Sequence, residues 1–96
     1  MDAAFGFERI AIVNRGEAAM RFVRALQELN DERSAGLVSI ALHTDPESRA
    51  LFVREADEAV NLGSATFVDP ADGRRKNRYL DYAALERALV ESRADA

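Results

Sequence analysis

Apolar residues form two kinds of pattern along this chain: continuous runs, which indicate buried strands, and helical spacing, which indicates amphipathic helices. Residues Ile10–Val13 are uniformly apolar, which is typical of a strand covered on both faces of a parallel sheet. From Gly16 to Asn30 the apolar residues recur at helical spacing, which predicts a helix with one buried face. Gly16 allows a tight turn between the two elements. Together they predict the first half of a β-α-β unit.

The alternation of strand and helix continues in the middle of the chain. Leu37–Leu42 is a second apolar run and predicts a second strand. Asp45 followed by Pro46 is a helix-start signal, with Asp45 as the cap and Pro46 in the first helical position. We expect this helix to end near Asp57 and a short third strand to occupy Glu58–Leu62.

The last third of the chain begins with a break in periodicity. From Gly63 to Arg78, proline, glycine and clustered charge predict an exposed loop. A third helix is expected to begin at Asp81 as its cap, and residues Glu91–Ala96 are expected to fray. The apolar side of this helix is expected to consist of Tyr82, Leu85, Ala88 and Leu89. With right-handed crossovers, the order β-α-β-α-β-α predicts a small three-layer α/β sandwich with a parallel sheet.

Length, charge and composition narrow the possible classes of protein. The 96 residues allow one small domain, and because no strand follows the last predicted helix, we expect domain 1–96 to be incomplete on its C-terminal side. A net charge of −4 argues against a nucleic-acid or anionic-membrane binder. The absence of cysteine and the single histidine exclude thiolate and His-rich metal sites. The apolar runs are short and the N-terminus is not basic, which predicts a cytoplasmic protein without a membrane span.

The turn Asn14-Arg15-Gly16 is the first candidate ligand site. It follows a predicted strand, at the edge where ligands bind in α/β folds, and Arg15 offers a forked cation to a phosphate or carboxylate. In the alternative interpretation, Asn14 and Gly16 only shape the turn and Arg15 pairs with a neighbouring domain. A single glycine is not the G-x-G-x-x-G fingerprint, which disfavours direct dinucleotide binding.

A polar strip on the first helix is the second candidate site. Arg21, Arg24 and Glu28 lie at positions i, i+3 and i+7, beside the apolar stripe. The strip is either a solvated face with an Arg24–Glu28 ion pair or part of an interface.

The other chemically active residues favour structural roles. His43 ends the second strand without an acid or base partner in the pattern, so we expect it to be structural. Asp57 and Glu58 are neighbours in sequence whose side chains diverge, so they are not an acid–base pair. The run Arg74–Arg78 is expected to be a solvated loop, and attraction of an anionic partner is the alternative. We therefore predict no catalytic residue and no metal ligand in this chain.

Three stretches of the sequence resemble one known family. They read RIAIVNRGEAAMRFVRALQEL, ALHTDPESRALFVREADEAVNLG and YLDYAALERAL, and they cover most of residues 8–90 in the same order as the N-terminal domain of biotin carboxylase. The chain departs from the family at Val13, where alanine is usual, and at Ala18, where isoleucine is common. Thr66–Arg78 resembles an insertion, which suggests a divergent branch such as the large single-chain acyl-CoA carboxylases.

The resemblance implies a Rossmann-like domain that precedes an ATP-grasp module in a ligase. In such enzymes ATP, with Mg²⁺ or Mn²⁺, activates bicarbonate, and the carboxyl group passes to biotin on a carboxyl carrier domain that serves a carboxyltransferase. The resemblance implies that this chain is inactive alone, docks against the ATP-grasp module and walls one side of its cleft. In bacterial members the positions matching Arg21, Arg24 and Glu28 lie at a homodimer interface.

Two other classes of function are consistent with the sequence alone. One is an independent flavodoxin-like domain that binds a small molecule or nucleotide with Asn14–Glu17 and His43–Asp45, at two strand ends. The other is a non-catalytic module that associates with itself through the first helix.

Overall fold

The structure is a computed structural model that describes residues 6–96. Three parallel strands form a sheet in the order β1-β2-β3, and two crossover helices connect them in sequence. The strands are β1 Arg9–Ile12, β2 Val38–His43 and β3 Glu58–Asn61, and the helices are α1 Gly16–Arg33 and α2 Leu51–Glu55. These five elements occupy the regions that the hydrophobic pattern predicts for them.

The first face of the sheet is covered by α1 and α2. Val23 and Leu26 of α1 and Phe52 of α2 form one buried cluster with Ile10 and Ala41 of the strands. A helix as short as α2 is not stable by itself, so it depends on the burial of this apolar surface. Phe22 has the spacing of the apolar stripe of α1 but is 44% exposed, so the buried face of the helix is narrower than the pattern predicts.

The second face is covered by α3, Tyr82–Ser92. Ala88 packs in a separate cluster with Ile40 and Leu42, and partly buried Leu85 packs against it. Since β2 is the central strand and is covered on both faces, its predominantly apolar sequence is explained. The predicted three-layer sandwich with a parallel sheet is therefore confirmed.

The third helix begins as predicted, but its exposed side differs from the expected one. The Asp81 carboxylate accepts a hydrogen bond from the Ala84 amide at 3.1 Å, as a helix cap does. Tyr82, expected on the apolar side, is 76% exposed, and Ala84 takes the buried position instead.

No helix among residues 6–96 has the length and apolar character that crossing a membrane requires.

The predicted second helix is shorter and starts later than expected. A 3₁₀ turn occupies Asp45–Glu47, and Ala50 has an extended ψ of 152°, which separates this turn from α2. Asp45 is not a helix cap, because its carboxylate instead accepts a hydrogen bond from the Asn61 amide at 2.8 Å. That bond ties the 3₁₀ turn to the end of β3.

The segment predicted as a loop before α3 contains a β-hairpin. Its antiparallel strands are β4 Thr66–Val68 and β5 Arg75–Asn77. The Asp69 carboxylate accepts a hydrogen bond from Lys76 Nζ at 2.7 Å, and Asp72 lies 3.1 Å from the same nitrogen. The Lys76 hydrogen bond lowers the pKa of Asp69, and the pKa of Lys76 is raised chiefly by Asp69, so this pair stays charged at neutral pH. The positive run is thus partly neutralised within the hairpin.

The C-terminal residues were expected to fray, but they form hydrogen bonds with β1 instead. Arg93 ends α3 with a left-handed φ of 60°. The Ala11 amide donates to the Ala96 carbonyl at 2.9 Å, and the Asp95 amide donates to the Arg9 carbonyl at 2.8 Å. The Arg9 guanidinium also donates to the Ser92 carbonyl, at 2.7 Å from Nη2. These residues therefore cover part of the edge of β1 that β2 leaves open.

Candidate functional site

The turn Asn14-Arg15-Gly16 lies at the carboxyl end of β1. Gly16 has a φ of +58° where α1 begins, a conformation that favours glycine. A Cβ atom added there would meet no atom within 4 Å. Glycine is therefore favoured at this position by the backbone conformation and not by a lack of space. Arg15 precedes the helix and provides no side-chain cap. The predicted tight turn into the helix is therefore present.

Arg15 belongs to a cluster of side chains from three separate turns, which we call the Glu47 cluster and define as Arg15, Thr44, Glu47 and Tyr79. The Tyr79 hydroxyl donates to Glu47 Oε1 at 2.6 Å, and the Thr44 hydroxyl donates to the same oxygen at 3.0 Å. Arg15 Nε lies 3.8 Å from Glu47 Oε2. The Arg15 guanidinium carbon lies 5.4 Å from the centre of the Tyr79 ring, within the range of a cation–π contact.

Burial and the carboxylate of Glu47 keep the Tyr79 phenol protonated. Desolvation is the larger cause and the hydrogen bond to Glu47 the second, and both raise the pKa of Tyr79 above its ordinary value. Because an ionised phenol beside Glu47 would be a second negative charge, Tyr79 acts as a hydrogen-bond donor over the physiological pH range.

A depression of about 270 Å³ opens beside this cluster. The turn after β1 lines it together with the end of β5 and the residues that follow β5. Its lining residues are Val13, Asn14, Arg15, Asn77, Tyr79 and Leu80. The structure thus brings together two of the three predicted ligand residues, Asn14 and Arg15, whereas Gly16 lies beside a different groove.

That second groove, of about 390 Å³, runs between α1 and the start of α2. Arg21 and Arg24 line it, together with the apolar Met20 and Leu51, while Glu28 is not among its lining residues. Arg21 pairs with Glu17 at 3.0 Å, and both side chains are exposed. The Arg24–Glu28 pair that one interpretation expected is not among the ion pairs of residues 6–96.

The other candidates have structural partners within the chain. His43 is buried, and its Nδ1 lies 3.0 Å from the Thr44 carbonyl. Asp57 accepts hydrogen bonds from Ser39, whereas Glu58 pairs with Arg9, so the two carboxylates diverge as expected. Within residues 6–96 no group of three or more histidine or carboxylate side chains is placed to hold a metal ion.

Glu47 and Tyr79 are the site residues that the sequence pattern did not reveal, whereas Thr44 lies within His43–Asp45, a segment that one interpretation placed at the ligand edge. Glu47 and Tyr79 are 32 positions apart, and each is unremarkable among its neighbours. A local periodicity carries no information about a contact between two distant turns. The contact forms because the folded chain brings the turn after β2 next to the segment after β5.

Comparison with known proteins places this geometry in a family. A family model described as the N-terminal domain of biotin carboxylase matches residues 6–96. The alpha chain of human mitochondrial propionyl-CoA carboxylase is 31% identical over 90 residues, which cover 94% of this chain and 10% of the human one.

Two solved structures share the fold. The biotin carboxylase domain of a single-chain bacterial carboxylase is 39% identical, with a TM-score of 0.65 over 91% of this chain and 17% of that one. The biotin carboxylase domain dimer of Hydrogenobacter thermophilus 2-oxoglutarate carboxylase, in complex with MgADP, ADP and bicarbonate, is 30% identical with a TM-score of 0.64 over 93% of this chain and 16% of that one. Because the family model spans nearly the whole sequence and the fold agrees, this chain belongs to the biotin carboxylase N-terminal domain family.

Proposed function

We propose that this chain works as the N-terminal structural part of an ATP-dependent biotin carboxylase, within a biotin-dependent acyl-CoA carboxylase. The observation that carries the proposal is the family match over residues 6–96. The chain spans only about a tenth of the length of the human relative, so the activity belongs to a larger assembly. In this proposal the chain is not catalytic alone.

We assign the carboxyl ends of the parallel strands to the side of the domain that faces the active-site cleft. Asn14 and Arg15 lie there beside an open depression, and the Arg15 side chain is 55% exposed. A guanidinium in this position can bind a phosphate or a carboxylate through two parallel hydrogen bonds. In this proposal Asn14 and Arg15 wall one side of the cleft, Arg15 supplies its cation, and Gly16 forms the turn that carries them.

The described residues do not fit a complete site for ATP and its metal ion. They contain no carboxylate cluster for Mg²⁺ or Mn²⁺, and the turn after β1 has one glycine where a phosphate-binding loop has several. We therefore assign ATP, the metal ion and biotin to the ATP-grasp module of the same enzyme. The further partners in this proposal are the biotin carboxyl carrier domain and the carboxyltransferase, in a cytoplasmic enzyme.

The mass of the native protein tests this proposal directly. We expect the protein that carries this sequence in its source cells to be several times larger than 10.6 kDa. It should also react with a streptavidin probe or co-purify with a biotinylated subunit. The measurement is intact mass spectrometry alongside a streptavidin blot of the native preparation. A native protein of about 10.6 kDa without a biotinylated partner would contradict the proposal.

We also propose that Arg21, Arg24 and Glu28 contribute to a homodimer interface. The exposed guanidinium of Arg21 and that of Arg24 line the groove of about 390 Å³ beside apolar side chains, a combination that suits a protein partner. In a self-complementary interface, reversing the charge of one residue places two unfavourable changes in each dimer.

Light scattering of the native enzyme tests the interface. Arg21→Glu and Arg24→Glu are each expected to raise the dimer dissociation constant at least about tenfold and to lower the average mass, because reversed charge leaves partner groups unpaired. Arg87→Glu, an exposed position on α3, is the matched control and should leave the mass unchanged. Equal masses for all variants and the wild type would remove the interface.

A further inference from the structure

We propose that Tyr79, acting through Glu47, is a positioning residue that holds the Arg15 guanidinium at the carboxyl edge of the sheet. The inference rests on the proposed function, in which Arg15 faces the active-site cleft. It assigns a role to Tyr79, which directly follows Thr66–Arg78, the part of the chain that resembles an insertion.

The first step of the argument concerns the two oxygens of Glu47. Oε1 accepts both hydroxyl hydrogen bonds, from Tyr79 at 2.6 Å and from Thr44 at 3.0 Å. Thr44 is buried, and the Glu47 side chain is 21% exposed. Two donors on one oxygen fix the plane of the carboxylate and leave Oε2 directed towards Arg15.

The second step concerns Arg15, which would otherwise have many accessible rotamers. Its Nε lies 3.8 Å from Glu47 Oε2, and its guanidinium lies over the Tyr79 ring at 5.4 Å. A contact of 3.8 Å is longer than a charge-assisted hydrogen bond, so the donors of the guanidinium are not consumed by Glu47. Tyr79 therefore restrains Arg15 twice, through its ring and through its hydroxyl bond to Glu47, and leaves Arg15 able to bind an anion.

The third step concerns how Tyr79 itself is held. The Asn77 side chain accepts a hydrogen bond from the Tyr79 amide at 2.9 Å. Arg78, the residue directly before Tyr79, pairs with Asp81 at 2.8 Å and donates a hydrogen bond to the Ser64 carbonyl at 2.9 Å. These bonds anchor the backbone at Tyr79 to the hairpin and to the start of α3. Tyr79 therefore links the hairpin to Glu47, and through Glu47 to the turn that carries Arg15.

The test is a double-mutant cycle in the full-length carboxylase, measured as ATP- and bicarbonate-dependent carboxylation of free biotin. Arg15→Ala should raise the KM for ATP or bicarbonate about tenfold, the effect of losing one charged hydrogen bond. Tyr79→Phe removes only the hydroxyl and should raise the same KM about threefold, with little change in kcat. The double variant should be no worse than Arg15→Ala alone, because the two residues act through one contact.

Two further variants make the result decisive. Tyr82→Phe removes a hydroxyl from an exposed tyrosine three positions away and should leave both KM values unchanged. Glu47→Gln keeps an oxygen for both hydroxyl donors but loses the charge that faces Arg15, and it should raise the same KM. It also serves as the second variant should Tyr79→Phe fail to fold, which its thermal unfolding would reveal.

The outcomes separate this inference from the proposed function. An effect of Arg15→Ala without any effect of Tyr79→Phe and Glu47→Gln would overturn the positioning role and leave Arg15 in the cleft. Fully additive effects in the double variant would likewise overturn it. Unchanged KM values for Arg15→Ala would overturn both the role of Arg15 in the cleft and the role of Tyr79 behind it.

Discussion

Replacing Phe52 with alanine is expected to lower the free energy of unfolding by about 3–5 kcal/mol, the usual cost of removing a large buried aromatic ring. Phe52 is 2% exposed and is the only buried residue of α2. A five-residue helix does not form by itself, so α2 depends on this side chain to hold it against α1 and the sheet. Because a domain of this size has a total stability of roughly 5–15 kcal/mol, the loss is a large fraction of the whole.

Urea denaturation followed by circular dichroism measures this effect. Phe22→Ala is the matched control, because Phe22 lies on the outer side of α1 and is 44% exposed. We expect it to cost less than about 1.5 kcal/mol, since little apolar surface is lost and alanine favours the helix. Equal destabilisation by the two substitutions would mean that α2 does not dock through Phe52 as described.

Replacing Asp57 with alanine is expected to cost about 2–3 kcal/mol, because it leaves two buried donors without a partner. The Asp57 carboxylate accepts hydrogen bonds from the Ser39 amide at 2.9 Å and from the Ser39 hydroxyl at 3.2 Å. Ser39 is 3% exposed, so water replaces this acceptor poorly. Ser39 lies one residue before the paired part of β2 and β3, where Asp57 extends the hydrogen-bond ladder with its side chain.

Asp57→Asn separates the loss of an acceptor from the loss of a charge. The asparagine keeps one carbonyl oxygen for Ser39, so we expect it to lose less than half of the stability that Asp57→Ala loses. Thermal unfolding of both variants against the wild type provides the comparison. If Asp57→Asn is as damaging as Asp57→Ala, the negative charge matters and the hydrogen-bond acceptor does not.

The elements that could be predicted from sequence are those whose signal is local. Ile10–Val13 and Gly16–Asn30 match β1 and α1 closely, because apolar runs and helical spacing reflect burial that each element needs wherever it packs. The cap at Asp81 was also predictable, since a capping side chain bonds to its own helix. Asp45 carries the same local signal, yet its carboxylate bonds to Asn61 of β3. A tertiary contact there replaced the local cap.

The hairpin and the ordered C-terminus were not predictable in the same way. The strands β4 and β5 have three residues each, which is too short for an alternating pattern to appear among charged residues. The bonds of Asp95 and Ala96 to β1 join residues that lie more than 80 positions apart. Such contacts depend on where α3 returns the chain, and the sequence near Ala96 contains no sign of it.

The sequence by itself determined the family, the three-layer architecture and the turn that carries Asn14 and Arg15. Only the tertiary structure decided which side chains surround that turn. Glu47 and Tyr79 reach Arg15 from the ends of different elements, because the parallel sheet and the hairpin bring those ends to one edge. Hydrophobic patterning specifies which face of an element is buried, whereas polar contacts between loops are set by the positions of whole elements relative to one another.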